Sequence, residues 1–189
     1  MITRDDIRGT YETIRPYIRR TPVVRLGLGD LDAAAGELPD VTLKLEQLQC
    51  AGAFKARGAF ANLLLREVPP AGVVAASGGN HGVAVAYAAS RVGSGGQQRG
   101  VPARIFVPTV SAPAKMERIR QLGAELVVTG DRYADALAGA QAWVQSSGAM
   151  SVHAFDQRRP CSARAPLGSS WPGKRISWTP SSSRSAAAG

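Results

Sequence analysis

The hydrophobic and polar positions of residues 1–157 follow two different spacings along the chain. Short apolar runs of strand length are separated by stretches with apolar residues three or four positions apart, as in helices that bury one face. The predicted strands are 23–26, 41–45, 72–76, 104–107, 125–128 and a strand start at 151–153. The predicted helices are a first one capped by Thr3 with Asp6, then 55–67, 80–92, 114–122 and 131–146.

From residue 41 onward, strands and helices alternate with short connections, which predicts an α/β fold. This order favours a doubly wound parallel sheet with helices on both faces, a three-layer arrangement. In such sheets ligands bind where strands end and helices begin. Residues 49–57 and 76–82 are therefore the candidate sites, whereas the glycine-rich stretch 94–100 is predicted to be a flexible surface loop without chemistry.

Composition limits the class of protein. The 189 residues (19.8 kDa) suffice for one domain or slightly more, and 44% hydrophobic with 20% charged residues excludes a wholly disordered chain. No apolar run approaches the roughly 18–20 residues of a membrane span, and the charged N-terminus indicates no signal peptide. Cys50 and Cys161 are too few for a disulfide framework or a zinc site. We therefore expect a cytoplasmic protein with no membrane partner and no metal.

The first candidate turn is AFKARGA at residues 53–59, with Lys55 at the start of a predicted helix. The positive end of a helix and burial both disfavour an ammonium ion, so the pattern predicts a lowered pKa for Lys55. A neutral amine is what Schiff-base chemistry requires. From this motif alone, an ordinary surface lysine in a first helical turn remains the alternative.

The second candidate turn is SGGNHG at residues 77–82, directly after an apolar strand. Its glycines let backbone N–H groups approach an anion, and the start of the following helix adds its dipole. Ser77 and Asn80 offer side-chain hydrogen bonds. The alternative to an anion site is a purely structural turn in which Asn80 is the N-cap of the helix. His81 is either a catalytic base or a structural residue.

Together these two turns resemble those of the fold-type-II enzymes that use pyridoxal 5'-phosphate (PLP). Among these enzymes, they are most similar to the group of threonine/serine dehydratases and serine racemases. The signature S-F-K-x-R-G-A followed by S-x-G-N-H-G stands here at residues 53–59 and 77–82. Further similar segments are RTP at 20–22, LKLE at 43–46, IFVP at 105–108, 115–120 and LGAE at 122–125. The resemblance covers nearly all of residues 1–157 and implies mostly the smaller domain of a fold like that of tryptophan synthase β.

The resemblance implies a role for each residue at the cofactor. Lys55 would bind PLP covalently and then act as the base that removes the Cα proton of the substrate. Phe54 would pack beside the cofactor, and Asn80 would donate a hydrogen bond to the 3'-oxygen of the pyridine ring. A full-length member of the family is expected to form a homo-oligomer.

The resemblance also implies the reaction, which is dehydration of L-threonine or L-serine to a 2-oxo acid and ammonia. Ser77, Gly78, Gly79 and the backbone of His81 would hold the carboxylate of this small amino-acid substrate. Ala53 and Gly78 depart from the pattern, because serine often stands at the first position and serine racemases carry a catalytic serine at the second. Gly78 therefore favours a dehydratase, with a racemase or another PLP β-lyase of this fold as the alternative.

The chain divides into three expected parts, namely residues 1–50 that join a larger domain in the family, the small PLP-enzyme domain 51–157, and a tail 158–189. The tail carries +6 of the formal net charge of +9, with eight serines and four prolines. Residues 175–189 can be written in GC-rich codons that, when regrouped one base earlier, encode the peptide DLVDTVLVAVGGGG. The apolar residues of that peptide follow almost necessarily from the serine codons of the tail. Glycine is only one of the residues that the shifted alanine codons can encode.

We therefore expect the tail to be an out-of-frame product on a truncated chain that binds PLP weakly and turns over negligibly. A genuine Ser/Pro/Arg-rich tail is the alternative. A third possibility is a non-catalytic fragment whose basic tail contacts nucleic acid, with Trp171 and Trp178 as stacking groups. We expect no nucleic-acid partner, since a GC-rich frame readily yields Arg, Ser, Pro and Ala.

Overall fold

The computed structural model describes residues 3–26, 41–93 and 100–154, which contain five α-helices and six strands. The helices are α1 (Arg4–Ile14), α2 (Lys55–Leu65), α3 (Asn80–Arg91), α4 (Pro113–Gln121) and α5 (Tyr133–Ser147). The strands are β1 (Val23–Leu26), β2 (Val41–Lys44), β3 (Val73–Ala76), β4 (Ala103–Val107), β5 (Glu125–Val128) and β6 (Met150–Ser151). They confirm the predicted elements with small shifts at their ends. Most of the expected loop, at 94–99, and the whole tail lie outside the described residues.

Four strands form a parallel sheet in the order β5-β4-β3-β6. Alternate residues of β3 and β4 face opposite sides, as the pleat of a strand requires. The face that packs with α2, α3 and α4 presents Val73, Ala75, Ile105 and Val107. The face that packs with α5 presents Val74, Ala76 and Phe106. The α/β fold with a parallel sheet between helices on both faces is thus confirmed.

The predicted strand at 41–45 does not belong to this sheet, and in this respect the prediction was wrong. β2 pairs with β1 in an antiparallel two-stranded sheet, with Val23 opposite Lys44. The physical reason is visible in the burial of the strands. β2 alternates between exposed and half-buried residues, as antiparallel strands with one solvated face do, whereas every residue of β3 is buried.

The first helix begins with the predicted capping box. The backbone N–H of Thr3 donates to Asp6 Oδ2 at 2.9 Å, and the N–H of Asp6 donates to Thr3 Oγ1 at 3.1 Å. At the other end of α1, Ile14 is fully buried in the cluster that includes Phe60 of α2. The cap thus fixes the start of α1, and the buried Ile14 packs the other end of the helix against α2.

The first turn of α3 packs directly against the chain that leaves β3. A Cβ atom at Gly82 would lie 2.1 Å from the carbonyl oxygen of Ser77 and 3.1 Å from Ile105 Cγ2. Backbone cannot move away as easily as a flexible side chain can. Residue 82 must therefore be glycine for α3 to start this close to residue 77.

Gly82→Ala is expected to lower the free energy of unfolding by about 1–3 kcal/mol, the usual cost of overpacking a buried position. Urea denaturation measures the change. Gly9→Ala in α1 is the matched control, because a Cβ at Gly9 would meet no atom within 4 Å. We expect that control to stabilise the chain by about 0.5–1 kcal/mol, as Gly-to-Ala changes in open helical positions do. Equal stability of Gly82→Ala and the wild type would contradict the close packing.

A buried ionic cluster connects the β1–β2 region to α2. Glu46 accepts hydrogen bonds from Arg57 Nε at 3.0 Å, Arg57 Nη2 at 2.8 Å and Thr21 Oγ1 at 2.5 Å. Lys44 Nζ donates to the carbonyl oxygen of Thr21 at 2.8 Å and to its hydroxyl at 2.7 Å. The side chain of Arg57 is only 3% exposed. Arg57 lies two residues after Lys55, so this cluster anchors the start of α2.

The cluster predicts a specific dependence of stability on pH. Burial disfavours the carboxylate, but hydrogen bonds from Arg57 and Thr21 and the charges of Arg57 and Lys44 outweigh it, so the pKa of Glu46 lies below its usual 4.5. This contribution to stability is therefore present above pH 4.5 and is lost as the pH falls through the lower folded-state pKa. We expect Glu46→Gln to flatten that part of the acid unfolding profile measured by circular dichroism. An unchanged profile would contradict the cluster's role.

Candidate active site

Lys55 lies at the first position of α2, which has no side-chain cap. Its amine Nζ donates to the carbonyl oxygen of Ala154 at 3.2 Å and lies 5.2 Å from the centre of the Phe54 ring. Ala154 follows β6, so the amine sits at the carboxyl edge of the parallel sheet. Phe54, beside this amine, is 37% exposed. The lowered pKa expected for Lys55 stays a prediction.

The glycine turn at residues 77–79 connects the carboxyl end of β3 to α3. The Ser77 hydroxyl accepts a hydrogen bond from the Gly79 N–H at 3.2 Å. The N-cap of α3 is Gly79, and no side chain caps this helix. The interpretation of Asn80 as an N-cap is therefore wrong. Asn80 is the exposed first residue of the helix, and its side chain makes no hydrogen bond within the described part of the chain.

His81 is buried, with only 6% of its surface exposed. Its ring nitrogen Nε2 lies 2.9 Å from the carbonyl oxygen of Val152. A carbonyl oxygen can only accept, so Nε2 carries the proton in this contact. The ring thus links α3 to the segment after β6, which is the structural alternative raised by the sequence.

The fold brings both sequence motifs to the same edge of the sheet. The segment at residues 152–154 contacts Lys55 through Ala154 and His81 through Val152. This segment follows β6, which pairs with β3. The carboxyl ends of these neighbouring parallel strands therefore carry an amine, a glycine turn and a helix N-terminus, as ligand sites in parallel sheets do.

This arrangement suits a ligand with an electrophilic carbon and an anionic group. An amine that can lose its proton attacks a carbonyl carbon. Glycines and an uncapped helix N-terminus expose backbone N–H groups with a favourable dipole to an anion. The turn is open on one side, because a Cβ at Gly79 would approach nothing closer than Ser77 Oγ at 3.8 Å.

Ser111 is a residue near the site that sequence reasoning missed. It lies in the turn after β4, and its hydroxyl occupies the space that a Cβ of Gly78 would take, 1.8 Å from that position. No signal in the sequence joins the two, since they are 33 positions apart and meet only because β3 and β4 pair side by side.

Neither a metal centre nor a membrane span is found in the described part of the chain. Within residues 3–26, 41–93 and 100–154, no three His, Cys, Asp or Glu side chains gather where they could hold a metal ion. None of the helices in these ranges is long and apolar enough to cross a bilayer.

Comparison with known proteins gives consistent matches. Residues 14–168 match the family described as pyridoxal-phosphate dependent enzyme. The chain is 36% identical over 167 residues to a phenylserine dehydratase of Ralstonia pickettii, covering 87% of this chain and 48% of that protein. It is 33% identical over 170 residues to an L-threonine ammonia-lyase of Thermotoga maritima, covering 89% of this chain and 40% of that protein.

A solved structure has the same fold. The structure of maize serine racemase superposes with a TM-score of 0.74 at 30% identity, covering 86% of this chain and 47% of that one. The chain thus spans about half the length of the relatives that it matches.

Proposed function

Because this chain belongs to the pyridoxal-phosphate dependent enzyme family, we propose that it is the lysine- and carboxylate-binding part of a PLP-dependent ammonia-lyase. The substrate is a small β-hydroxy amino acid, L-threonine or L-serine. The observation that carries this proposal is that one segment, residues 152–154 at the carboxyl edge of the parallel sheet, contacts both Lys55 and His81.

The residues present fit PLP. The amine of Lys55 suits the aldehyde of the cofactor, and the exposed ring of Phe54 offers a surface beside that amine. The side chain of Asn80 has no hydrogen-bond partner in the described residues and is able to donate to the 3'-oxygen. PLP, when bound, supplies an electron sink for the electron pair left at the substrate Cα.

Lys55 is the proposed base. Its amine would take the Cα proton of the substrate, a role that a basic amine beside the cofactor can perform. The contact with Ala154 supports this role, because it holds the amine at the carboxyl edge of the parallel sheet, where the 77–79 turn also lies. Lys55 is thus proposed both to bind the cofactor and to move a proton.

The 77–79 turn is the proposed carboxylate site. The hydroxyl of Ser77 and the backbone of Gly78, Gly79 and His81 surround the end of β3, where the N-terminal dipole of α3 favours a negative charge. Holding the carboxylate there orients the Cα–H bond toward the amine of Lys55. The substrate then loses its Cα proton and β-hydroxyl as water, and hydrolysis of the remaining enamine gives a 2-oxo acid and ammonia.

Two named relatives favour elimination. The phenylserine dehydratase and the L-threonine ammonia-lyase are named for reactions of β-hydroxy amino acids. A racemase of the same fold is the second candidate, since the maize structure is a serine racemase. Gly78 favours elimination, because it lacks the side chain that serine racemases carry at this position.

Product analysis separates these candidates. The chain is incubated with PLP and isotopically labelled L-threonine or L-serine, and the products are measured by mass spectrometry and chiral chromatography. With the chain in excess over the substrate, we expect only a trace of labelled 2-oxobutyrate or pyruvate, in keeping with negligible turnover, and none from a Lys55→Ala variant. D-serine without 2-oxo acid would favour the racemase, and no product above that variant would contradict both.

We also propose the finer assignments that accompany this function. The division between 1–50 and 51–157 is supported by the family resemblance, and an out-of-frame tail at 158–189 is supported by its composition and by its regrouped codons. Sequencing the coding DNA from codon 150 onward tests the frame: an open shifted frame running through the glycine codons supports it. Cytoplasmic location and a homo-oligomer of the complete enzyme, with no nucleic-acid partner, are supported by the family resemblance.

A further inference from the structure

Ser111 and Gly78 share one space at the proposed carboxylate turn. A Cβ at Gly78 would lie 1.8 Å from Ser111 Oγ and 2.5 Å from Ser111 Cβ. Rotating the hydroxyl away would leave the second contact in place, so this space belongs to the Ser111 side chain. Residue 78 is free of a side chain, and the neighbouring turn supplies one instead.

The hydroxyl of Ser111 is available to a ligand. The backbone N–H of Ser111 donates to the carbonyl oxygen of Pro108 at 3.0 Å, which fixes the turn after β4. The side-chain hydroxyl makes no hydrogen bond within the described residues. It is half-buried and lies against the backbone of Gly78, and β4 runs beside β3 so that both turns lie at the same sheet edge.

We propose that Ser111 is a further substrate-binding residue, whose hydroxyl donates a hydrogen bond to the amino-acid carboxylate held at residues 77–79. This inference rests on the proposed function of that turn. A hydroxyl donor to a carboxylate is a charge-assisted hydrogen bond, stronger than one between neutral groups. Gly78 has the complementary role of leaving room for this donor.

The first test measures binding without turnover. L-Alanine carries the same carboxylate and amine as L-serine but has no β-hydroxyl to lose. It is titrated into the ¹⁵N-labelled, PLP-treated chain while the amide signals of Gly78, Gly79 and Asn80 are followed by NMR. We expect Ser111→Ala to weaken the binding about tenfold, and Ser90→Ala, at the opposite end of α3, to leave it unchanged.

A swap variant tests the shared space. Gly78→Ser combined with Ser111→Gly moves the hydroxyl to the other turn, and we expect it to bind within about threefold of the wild type. Gly78→Ser alone is expected to lower the urea midpoint, and adding Ser111→Gly is expected to restore it. If Gly78→Ser alone were as stable as the wild type, Ser111 would not fill this space and the inference would fall.

The two levels of the proposal fail in different ways. If the wild-type chain shows no change at the three amides, the carboxylate site is absent and the inference falls with the proposed function. If the wild type binds and Ser111→Ala binds equally well, the carboxylate site stands and only the role of Ser111 is overturned. Weaker binding by Ser111→Ala, with unchanged binding by Ser90→Ala, supports the inference.

Discussion

Replacing Lys55 by alanine is expected to abolish the shift of the PLP visible absorption band that attachment to a lysine produces. We propose the amine of Lys55 as the group that reacts with the aldehyde, and its contact with Ala154 holds it at the carboxyl edge of the parallel sheet. Without that amine, we expect PLP to make only weak noncovalent contacts with the chain. We expect the shift to fall to the level of free PLP in a spectrophotometric titration.

Lys115→Ala is the matched control for this experiment. Lys115 also lies near the start of a helix, α4, but it belongs to neither motif. We expect it to keep the wild-type spectrum and apparent affinity. A Lys55→Ala chain that still shifted the PLP band, with Lys115→Ala losing the shift, would place the cofactor at another lysine.

Replacing Glu46 by alanine is expected to lower the free energy of unfolding by about 3–5 kcal/mol. Removing one partner of a buried ion pair leaves the other charge without compensation, which costs far more than the intact pair contributes. Here the guanidinium of Arg57, with its side chain 3% exposed, would lose both of its hydrogen bonds to the carboxylate. Chemical denaturation at pH 7 measures the change.

Glu125→Ala is the control for burial. Glu125 pairs with Arg104 at 2.6 Å, a distance as short as those around Glu46, but its side chain is 56% exposed. Ion pairs exposed to this extent contribute about 0–1 kcal/mol. Similar losses for Glu46→Ala and Glu125→Ala would show that burial around Arg57 does not determine the energy of the cluster.

Most of the helices and strands could be predicted because their signals are local. The apolar run at 73–76 has the length of a strand and is bounded by glycines, and the alanine-rich stretch after it has the length of a helix. The cap of α1 was predictable for the same reason, since Thr3 and Asp6 lie within one turn. The pairing of β1 with β2 was missed, because which strand becomes a neighbour depends on the whole chain.

The candidate site was predicted only as far as its motifs extend. Lys55 and the 77–79 turn were visible as short motifs, and a parallel sheet brings the ends of its strands together. The hydrogen bond of His81 to Val152, the cluster around Glu46 and the contact of Ser111 with Gly78 involve residues far apart in the chain. Such contacts depend on tertiary packing, and no spacing in the sequence predicts them.

Peptide mapping of the cofactor attachment tests the central claim most directly. The chain is treated with PLP, reduced with borohydride to fix the adduct, digested and analysed by mass spectrometry. The proposal predicts that Lys55 is the one modified lysine and that the Lys55→Ala variant carries no adduct. Label spread evenly over Lys44, Lys55, Lys115 and Lys174, or found only outside residue 55, would contradict it.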